Sequence, residues 1–186
     1  MSPLSPYKQG SLDSLCGLYA LINASRLADP SLTEEDCQSA FEGALRCLND
    51  KYQDGCPKGF PEDFPRLLCY GLKRSPLLSL HKEFFKNEWP QISLVKPFPL
   101  NKIAPKIFWS RMKQEAITKG RALIIGTTDP MNHWSVVREI PNEKIVLFDS
   151  YRYKTLERSD SDFSLTEKGV SSDIVPRYVF LLKKEK

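Results

Sequence analysis

The sequence has few of the features that mark exported, membrane-spanning or metal-binding proteins. Its 186 residues include five cysteines and two histidines, and no two cysteines form a CxxC pair, which argues against a structural zinc site. No apolar run reaches the length of a membrane-spanning helix. The N-terminus lacks a basic stretch followed by an apolar one, so we expect no signal peptide. Together these absences predict reduced thiols and a cytoplasmic protein with no membrane partner.

Charge is present in an ordinary amount but is unevenly spread along the chain. Charged residues make up 27% of the sequence and apolar residues 41%, as in a typical globular domain, and the length fits a single domain over residues 1–186. Residues 72–121 carry 11 basic and 3 acidic side chains, which could meet an acidic protein partner. The plainer alternative is a solvated helix face with loop lysines. No nucleic-acid motif accompanies the charge, which disfavours a nucleic-acid partner.

Helical patterns dominate the first part of the chain and strand patterns the second part. We predict helices over about 14–28, from a capping-box sequence at 31–34 to about 48, over 62–70, and within 102–119. We predict strands at 77–80, 92–95 and 122–126, a hairpin from 133 to 149, and a last strand at 175–182. The polar residues 152–173 are expected to be irregular and to form either a loop over the site or a mobile surface. This order is an α+β pattern, with a helical lobe facing an antiparallel sheet.

One cysteine lies where the first helix is predicted to begin. Cys16 follows Leu15 and opens an apolar run that starts with Gly17. Unpaired N–H groups and the positive end of the dipole at a helix N-terminus favour a thiolate, which is the reactive form of cysteine. Cys16 is therefore the candidate nucleophile, although taken alone it also fits a buried apolar cysteine.

A histidine and an aspartate occupy matching positions on the two arms of the predicted hairpin. A turn at Pro141-Asn142 places His133 opposite Asp149 or Ser150, with Cβ atoms about 5 Å apart. A carboxylate at that distance can orient the imidazole and leave its other nitrogen for a thiol. The second histidine, His81, has no carboxylate placed opposite it by an evident turn, so we expect His133 to be the base.

These residues resemble the catalytic residues of the papain-like cysteine peptidase superfamily, with particular likeness to bacterial members related to bacteriocin-processing cysteine peptidases. The matching segments are Gln9, Cys16-Gly17 with residues 18–24, residues 133–137 and residues 148–150. The resemblance implies that Cys16 is the nucleophile, His133 the general base, Asp149 the residue that orients it, and Gln9 part of the oxyanion hole. It also implies a papain-like fold, in which an N-terminal helical lobe carries the nucleophile and packs on a C-terminal antiparallel sheet carrying the His/Asp pair.

The chain departs from the superfamily pattern around the nucleophile. The spacing from Gln9 to Cys16 is one residue longer than usual, and Leu15 stands where a polar or small residue is common. Asp13 lies nearby and is assigned part of that polar role. Asp13, Gly17 and Trp134 are the expected substrate-binding residues. Trp134 either shields the His/Asp pair from water or packs in the sheet as an ordinary large aromatic.

The leading function is a cysteine hydrolase that cleaves an amide bond, with a peptide as the simplest substrate. The same triad also serves glutamine deamidation, transglutamination and other acyl transfers, and the resemblance does not choose among them. A non-catalytic protein-binding module and a redox-sensing thiol protein are the other classes considered. No metal or organic cofactor is implied.

Overall fold

In the described part of the chain, helices precede the first strand, and most of the strands lie in the second half. The computed structural model describes residues 4–10, 14–53, 71–98, 103–159, 162–167 and 169–185. The helices are α1 (Cys16–Ala28), α2 (Glu34–Gln53), α3 (Arg74–Leu80) and α4 (Pro105–Ala116), and α3 continues through a π-helical segment (His81–Phe85) and a last turn (Lys86–Glu88). The strands are β1 (Ile92–Val95), β2 (Arg121–Thr127), β3 (Trp134–Glu139), β4 (Lys144–Leu147), β5 (Thr155–Arg158), β6 (Ser164–Glu167) and β7 (Val170–Lys184).

Most helices lie close to their predicted positions, with local corrections. The capping box of α2 is formed by Thr33 and Asp36, two residues later than predicted. The Asp36 N–H donates to Thr33 Oγ1 (3.1 Å), and the Thr33 N–H donates to Asp36 Oδ2 (2.8 Å). The strand predicted at 77–80 is wrong, because these residues belong to α3. The helix predicted at 62–70 lies outside the described residues.

Six antiparallel strands, β2 to β7, close into a barrel, which overturns the predicted papain-like fold class. Each strand from β2 to β6 pairs with the next, and β7 pairs with both β6 and β2. The prediction of a helical lobe packed on an open sheet failed at residues 152–173. That polar segment was expected to be irregular, but it contains β5, β6 and the beginning of β7. β1 adds to β7 outside the barrel.

Alternating side chains of the barrel strands divide the apolar core into two clusters. On β2, Ala122 and Ile124 face α1, whereas Leu123 and Ile125 belong to the cluster shared with α4. This period of two is the ordinary consequence of strand geometry. The helix that begins at Cys16 is thereby packed directly on β2 and β3. Among the helices that the structure describes, none has the length and apolar character needed to cross a membrane.

The β3–β4 hairpin turns where predicted but has a different register. Val137 pairs with Leu147, whereas the predicted register would pair it with Val146 or Ile145. An irregularity between Val137 and Glu139 shifts the strands relative to each other. β4 ends at Leu147, and Asp149 lies between this strand and the bend that begins at Ser150, so it sits beyond the ladder rather than within it.

Candidate active site

Cys16 is the first residue of α1 and lies at the contact between this helix and the barrel. Leu15 precedes the helix without a side-chain capping hydrogen bond. The leading N–H groups of any α-helix lack intrahelical partners and can bind developing negative charge. Gly17 allows close packing here, because a Cβ at this position would lie 3.1 Å from Leu77 and 3.3 Å from Trp134. A larger residue at position 17 would push α1, and with it the thiol, away from the barrel.

His133 is held by its backbone and by its ring. Its carbonyl accepts a hydrogen bond from the N–H of Thr127 (3.0 Å), and its own N–H donates to Thr127 Oγ1 (3.2 Å). Nε2 of the ring lies 2.7 Å from Asp149 Oδ2. The ring of Tyr153 packs edge-on against the imidazole, with centroids 5.2 Å apart. These contacts fix both the position and the plane of the imidazole.

The Asp149 carboxylate is fully enclosed and has partners on both oxygens. Oδ1 accepts the N–H groups of Tyr151 (2.8 Å) and Tyr153 (3.2 Å), while Oδ2 faces His133. An ionised carboxylate can only accept hydrogen bonds. The hydrogen between the two side chains therefore resides on Nε2, and Nδ1 is the ring nitrogen left for the Cys16 thiol.

Burial and pairing act in opposite directions on the His133–Asp149 pair. Burial alone would lower the pKa of His133, but hydrogen bonds to Asp149 and Cys16, together with their charges, raise this pKa to about 9. Burial alone would raise the pKa of Asp149, but the hydrogen bond and charge of His133 bring it below its usual value. At neutral pH the pair is therefore an imidazolium and a carboxylate.

Gln9 lies beside the loop that follows Asp149. Its N–H donates to the Ser150 carbonyl (2.8 Å), and its side-chain Oε1 accepts a hydrogen bond from Ser150 Oγ (3.3 Å). The preceding Lys8 donates through Nζ to the carbonyl of Asp149 (2.7 Å). Gln9 does not belong to the described lining of the cavity that contains Cys16, so its oxyanion role remains a prediction.

A cavity of about 340 Å³ opens in front of Cys16 and His133. Trp134 forms part of its wall and also packs in the core: its Nε1–H donates to the Leu72 carbonyl (2.7 Å), and its ring stacks on Phe180 with centroids 5.7 Å apart. Gly126 makes room for this ring, since a Cβ there would lie 2.8 Å from it. The described residues that line the cavity are Cys16, Gly71, Leu72, Lys73, Arg74, Gly126, Thr127, Asn132, His133, Trp134 and Tyr178.

Two other cysteines allow a comparison with Cys16. Cys37 is buried and Cys47 is half-buried, and both are free thiols. Burial raises the pKa of each of them, which makes them poor nucleophiles at neutral pH. Cys56, Cys69 and the predicted substrate-binding residue Asp13 lie outside the described residues.

Several residues that build the site were not predicted from the sequence. Thr127 was detectable in principle, because the end of one strand of a hairpin faces the start of the next, where His133 lies. Lys8, Tyr153, Lys73 and Arg74 gave no comparable signal, since only the closed barrel and the chain approaching α3 bring them here. Within the described part of the chain, no group of three His, Cys, Asp or Glu residues is arranged to hold a metal ion.

Comparison with known proteins adds no identity to this geometry. The sequence matches no model of a known protein family and no curated protein.

Proposed function

We propose that this protein is a cysteine hydrolase that cleaves an amide bond through a Cys16 acyl-enzyme. The observation that carries the proposal is a buried His133–Asp149 pair at 2.7 Å whose imidazole also interacts with the thiol at the start of α1. A nucleophile, a base and a residue that orients the base are the minimum set for this chemistry. The likeness of these residues to papain-type triads supports the proposal at the level of side chains and carries no claim about the fold.

The reactive form of Cys16 is its thiolate, and His133, whose pKa is raised to about 9, is the group that holds the proton. The thiolate attacks the carbonyl carbon of the substrate, so that a C–S bond forms and the carbonyl oxygen becomes an oxyanion. The tetrahedral intermediate then collapses, the C–N bond breaks, and the imidazolium gives its proton to the leaving amine. The products of this half-reaction are a free amine and a thioester on Cys16.

Hydrolysis of the thioester restores the enzyme. Neutral His133 takes a proton from water, the resulting hydroxide attacks the thioester carbonyl, and the C–S bond breaks. The acid leaves, Cys16 returns to the thiolate, and His133 keeps the proton. Asp149 stabilises the imidazolium in both half-reactions and holds the ring with Nδ1 toward the sulfur.

The backbone N–H groups at the start of α1 are the first candidates to stabilise the oxyanion. Gln9 is the second candidate, because its side-chain amide carries N–H donors and lies beside the loop that follows Asp149, where its Oε1 accepts a hydrogen bond from Ser150 Oγ. Removal of one oxyanion donor typically lowers the rate about 100- to 1000-fold. Substitution of Gln9 by Glu, measured as kcat on a cleaved peptide, distinguishes a donor from a residue that only braces the loop.

The first experiment measures how fast each cysteine reacts with iodoacetamide between pH 5 and 10, resolved by peptide mass spectrometry. We expect Cys16 to react at least tenfold faster than Cys37 and Cys47 at pH 7, because a thiolate paired with an imidazolium persists where a free thiol, with a pKa of about 8.5, is protonated. His133→Ala should remove this advantage, and His81→Leu is the matched control in the other buried histidine. Equal rates at all three cysteines, or an unchanged Cys16 rate in His133→Ala, would overturn the proposal.

The reaction type is read from the products of a peptide library. A peptidase creates new N-termini, whereas a glutamine deamidase releases ammonia and an acyltransferase joins the acyl group to an added amine. We propose peptide-bond cleavage, since it requires nothing beyond the triad and water. We also propose that the protein works in the reducing cytoplasm, in keeping with its free thiols at Cys16, Cys37 and Cys47.

A further inference from the structure

The wall of the Cys16 cavity carries two cationic side chains. Lys73 and Arg74, at the start of α3, belong to the cavity lining together with Cys16 and His133. Both come from the segment 72–121, which holds most of the excess positive charge of the chain. In a concave site bordered by low-dielectric protein, such charges attract anionic groups more strongly than they would on an open surface.

Arg74 is held in place rather than left to move with solvent. Its Nε–H donates to the Arg177 carbonyl (2.9 Å), and its guanidinium lies 5.9 Å from the ring centroid of Phe180. The carbonyl uses one donor of the guanidinium, which has five. The others remain on a planar group suited to a carboxylate. Lys73 is exposed and can follow a ligand as a mobile point charge.

No carboxylate offsets these cations within the described lining of the cavity. Asp149 is fully buried beneath His133, and its charge is paired with the imidazolium. Among the described lining residues, Lys73 and Arg74 are therefore the cationic side chains whose charge no carboxylate of the lining offsets, and they face an incoming substrate.

We propose that the Cys16 cavity selects peptide substrates with an acidic side chain, Asp or Glu, next to the cleaved bond, and that Lys73 and Arg74 are the residues that determine this specificity. The proposal rests on the hydrolase function proposed above and names its substrate class. It assigns a role to two basic residues of the segment 72–121, because both line the cavity that contains Cys16.

The test compares the rates at which Cys16 reacts with iodoacetate and with iodoacetamide, which differ in charge and little in size. We expect Lys73→Gln and Arg74→Gln each to lower the ratio of the iodoacetate rate to the iodoacetamide rate about three- to tenfold. Lys113→Gln removes the same charge from the exposed face of α4, away from the cavity lining, and should change neither rate. Raising the ionic strength should reduce the preference of the unsubstituted protein for iodoacetate.

The substrate side is tested with pairs of quenched peptides that differ only by Glu or Gln beside the cleaved bond. We expect kcat/KM to favour the Glu peptide about tenfold or more, and Lys73→Gln combined with Arg74→Gln to remove the preference while the Gln peptide is still cleaved. Lys73 is exposed, so its substitution alone reports on the proposal even if the Arg74 variant does not fold.

The outcomes separate the two proposals. If Cys16 reacts slowly with both reagents, the hydrolase proposal fails, yet the ratio of the two rates still reports the local charge. If Cys16 is reactive but the ratio is the same in the Lys73, Arg74 and Lys113 variants, the hydrolase proposal stands and the acidic-substrate proposal is overturned.

Discussion

The two histidines of this chain are equally buried and yet differ in the protonation state that the fold imposes. His133 is 9% exposed and His81 is 8% exposed. The pKa of His133 is raised to about 9, whereas burial, reinforced by the charge of Lys86, lowers the pKa of His81 to about 4. At neutral pH the first is a cation and the second is neutral. Burial alone therefore does not identify a catalytic base.

The difference comes from the structural element that holds each ring. His133 lies directly before the barrel strand β3 and meets the carboxylate of Asp149 across the hairpin. His81 begins the π-helical segment after α3, and its Nε2 has no hydrogen-bond partner among the described residues. A buried imidazole without a carboxylate loses its proton because nothing compensates for the lost hydration of the cation. The following predictions use each histidine as the control for the other.

The largest expected effect separates the two histidines by catalysis. His133→Ala should lower the rate of peptide hydrolysis about 1000-fold, because it removes the group that moves the proton. His81→Leu should leave that rate within twofold. The measurement is kcat/KM on a cleaved peptide, with circular dichroism to show that both variants fold. Equal losses in the two variants would mean that His133 acts only through the fold.

Asp149→Asn should make His133 resemble His81. Without the carboxylate the pKa of His133 should fall well below 9, and hydrolysis should slow about 100-fold or more. Breaking a buried charge pair on one side should also cost about 3 kcal/mol of unfolding free energy. NMR titration of the imidazole protons gives the pKa, and urea denaturation gives the stability. A His133 pKa that stays near 9 would assign the shift to Cys16 instead.

His81 should account for the loss of folding stability as the pH falls from about 6.5 to about 4. Its folded pKa of about 4 lies below the unfolded value near 6.5. Between these values the unfolded state binds more protons, so this contribution is present above pH 6.5 and is lost as pH falls toward 4. His81→Leu should reduce this loss by about 2 to 3 kcal/mol in urea titrations.

His133 has the opposite sign, which provides the contrast within the same experiment. Its raised pKa contributes stability that is present below pH 6.5 and is lost as pH rises toward 9. Substitution of His81 should therefore leave the pH dependence of stability on the alkaline side unchanged. A loss of stability toward pH 4 that is equally steep in His81→Leu and in the unsubstituted protein would contradict the assignment.

The smallest expected effect concerns the loop that carries Asp149. Lys8 donates through Nζ to the carbonyls of Asp149 and Tyr151, and it is itself exposed. Lys8→Met should slow hydrolysis about threefold and cost less than about 1 kcal/mol of unfolding free energy. Lys8→Arg should recover part of the rate, because a donor is restored. No change in kcat for either variant would show that the loop holds its shape without Lys8.

The start of a helix and the position of a turn could be predicted from the sequence, whereas the closure of the strands into a barrel could not. The start of α1 at Cys16 and the turn near Pro141 follow from short-range patterns of apolar and turn residues. The hydrogen bond between His133 and Asp149 is present although the predicted register was wrong, because His133 lies just before β3 and Asp149 just after β4, at the same end of the hairpin. The end of the hairpin at which the histidine meets its carboxylate was thus predictable, whereas the register of the two strands was not.

The barrel was missed because its closing strands are short and polar. β5 and β6 have four residues each, and only a few of their side chains, such as Leu156 and Leu165, face the core. Such segments look like loops in a single sequence, since pairing with distant strands is what makes them regular. The same reason hid Lys73 and Arg74, whose approach to Cys16 depends on packing between distant segments.

The position of β7 in the chain has a consequence for how the protein is made. This strand borders β1, β2 and β6, and Lys184 near its end binds Asp29 at the far end of α1 (2.7 Å). A ribosome delivers the Cys16 helix first and β7 on the order of ten seconds later. Until then the barrel cannot close, because among the described strands only β7 links β2 to β6. The barrel that supports Cys16, His133 and Asp149 is therefore the last part of the fold to be completed during synthesis.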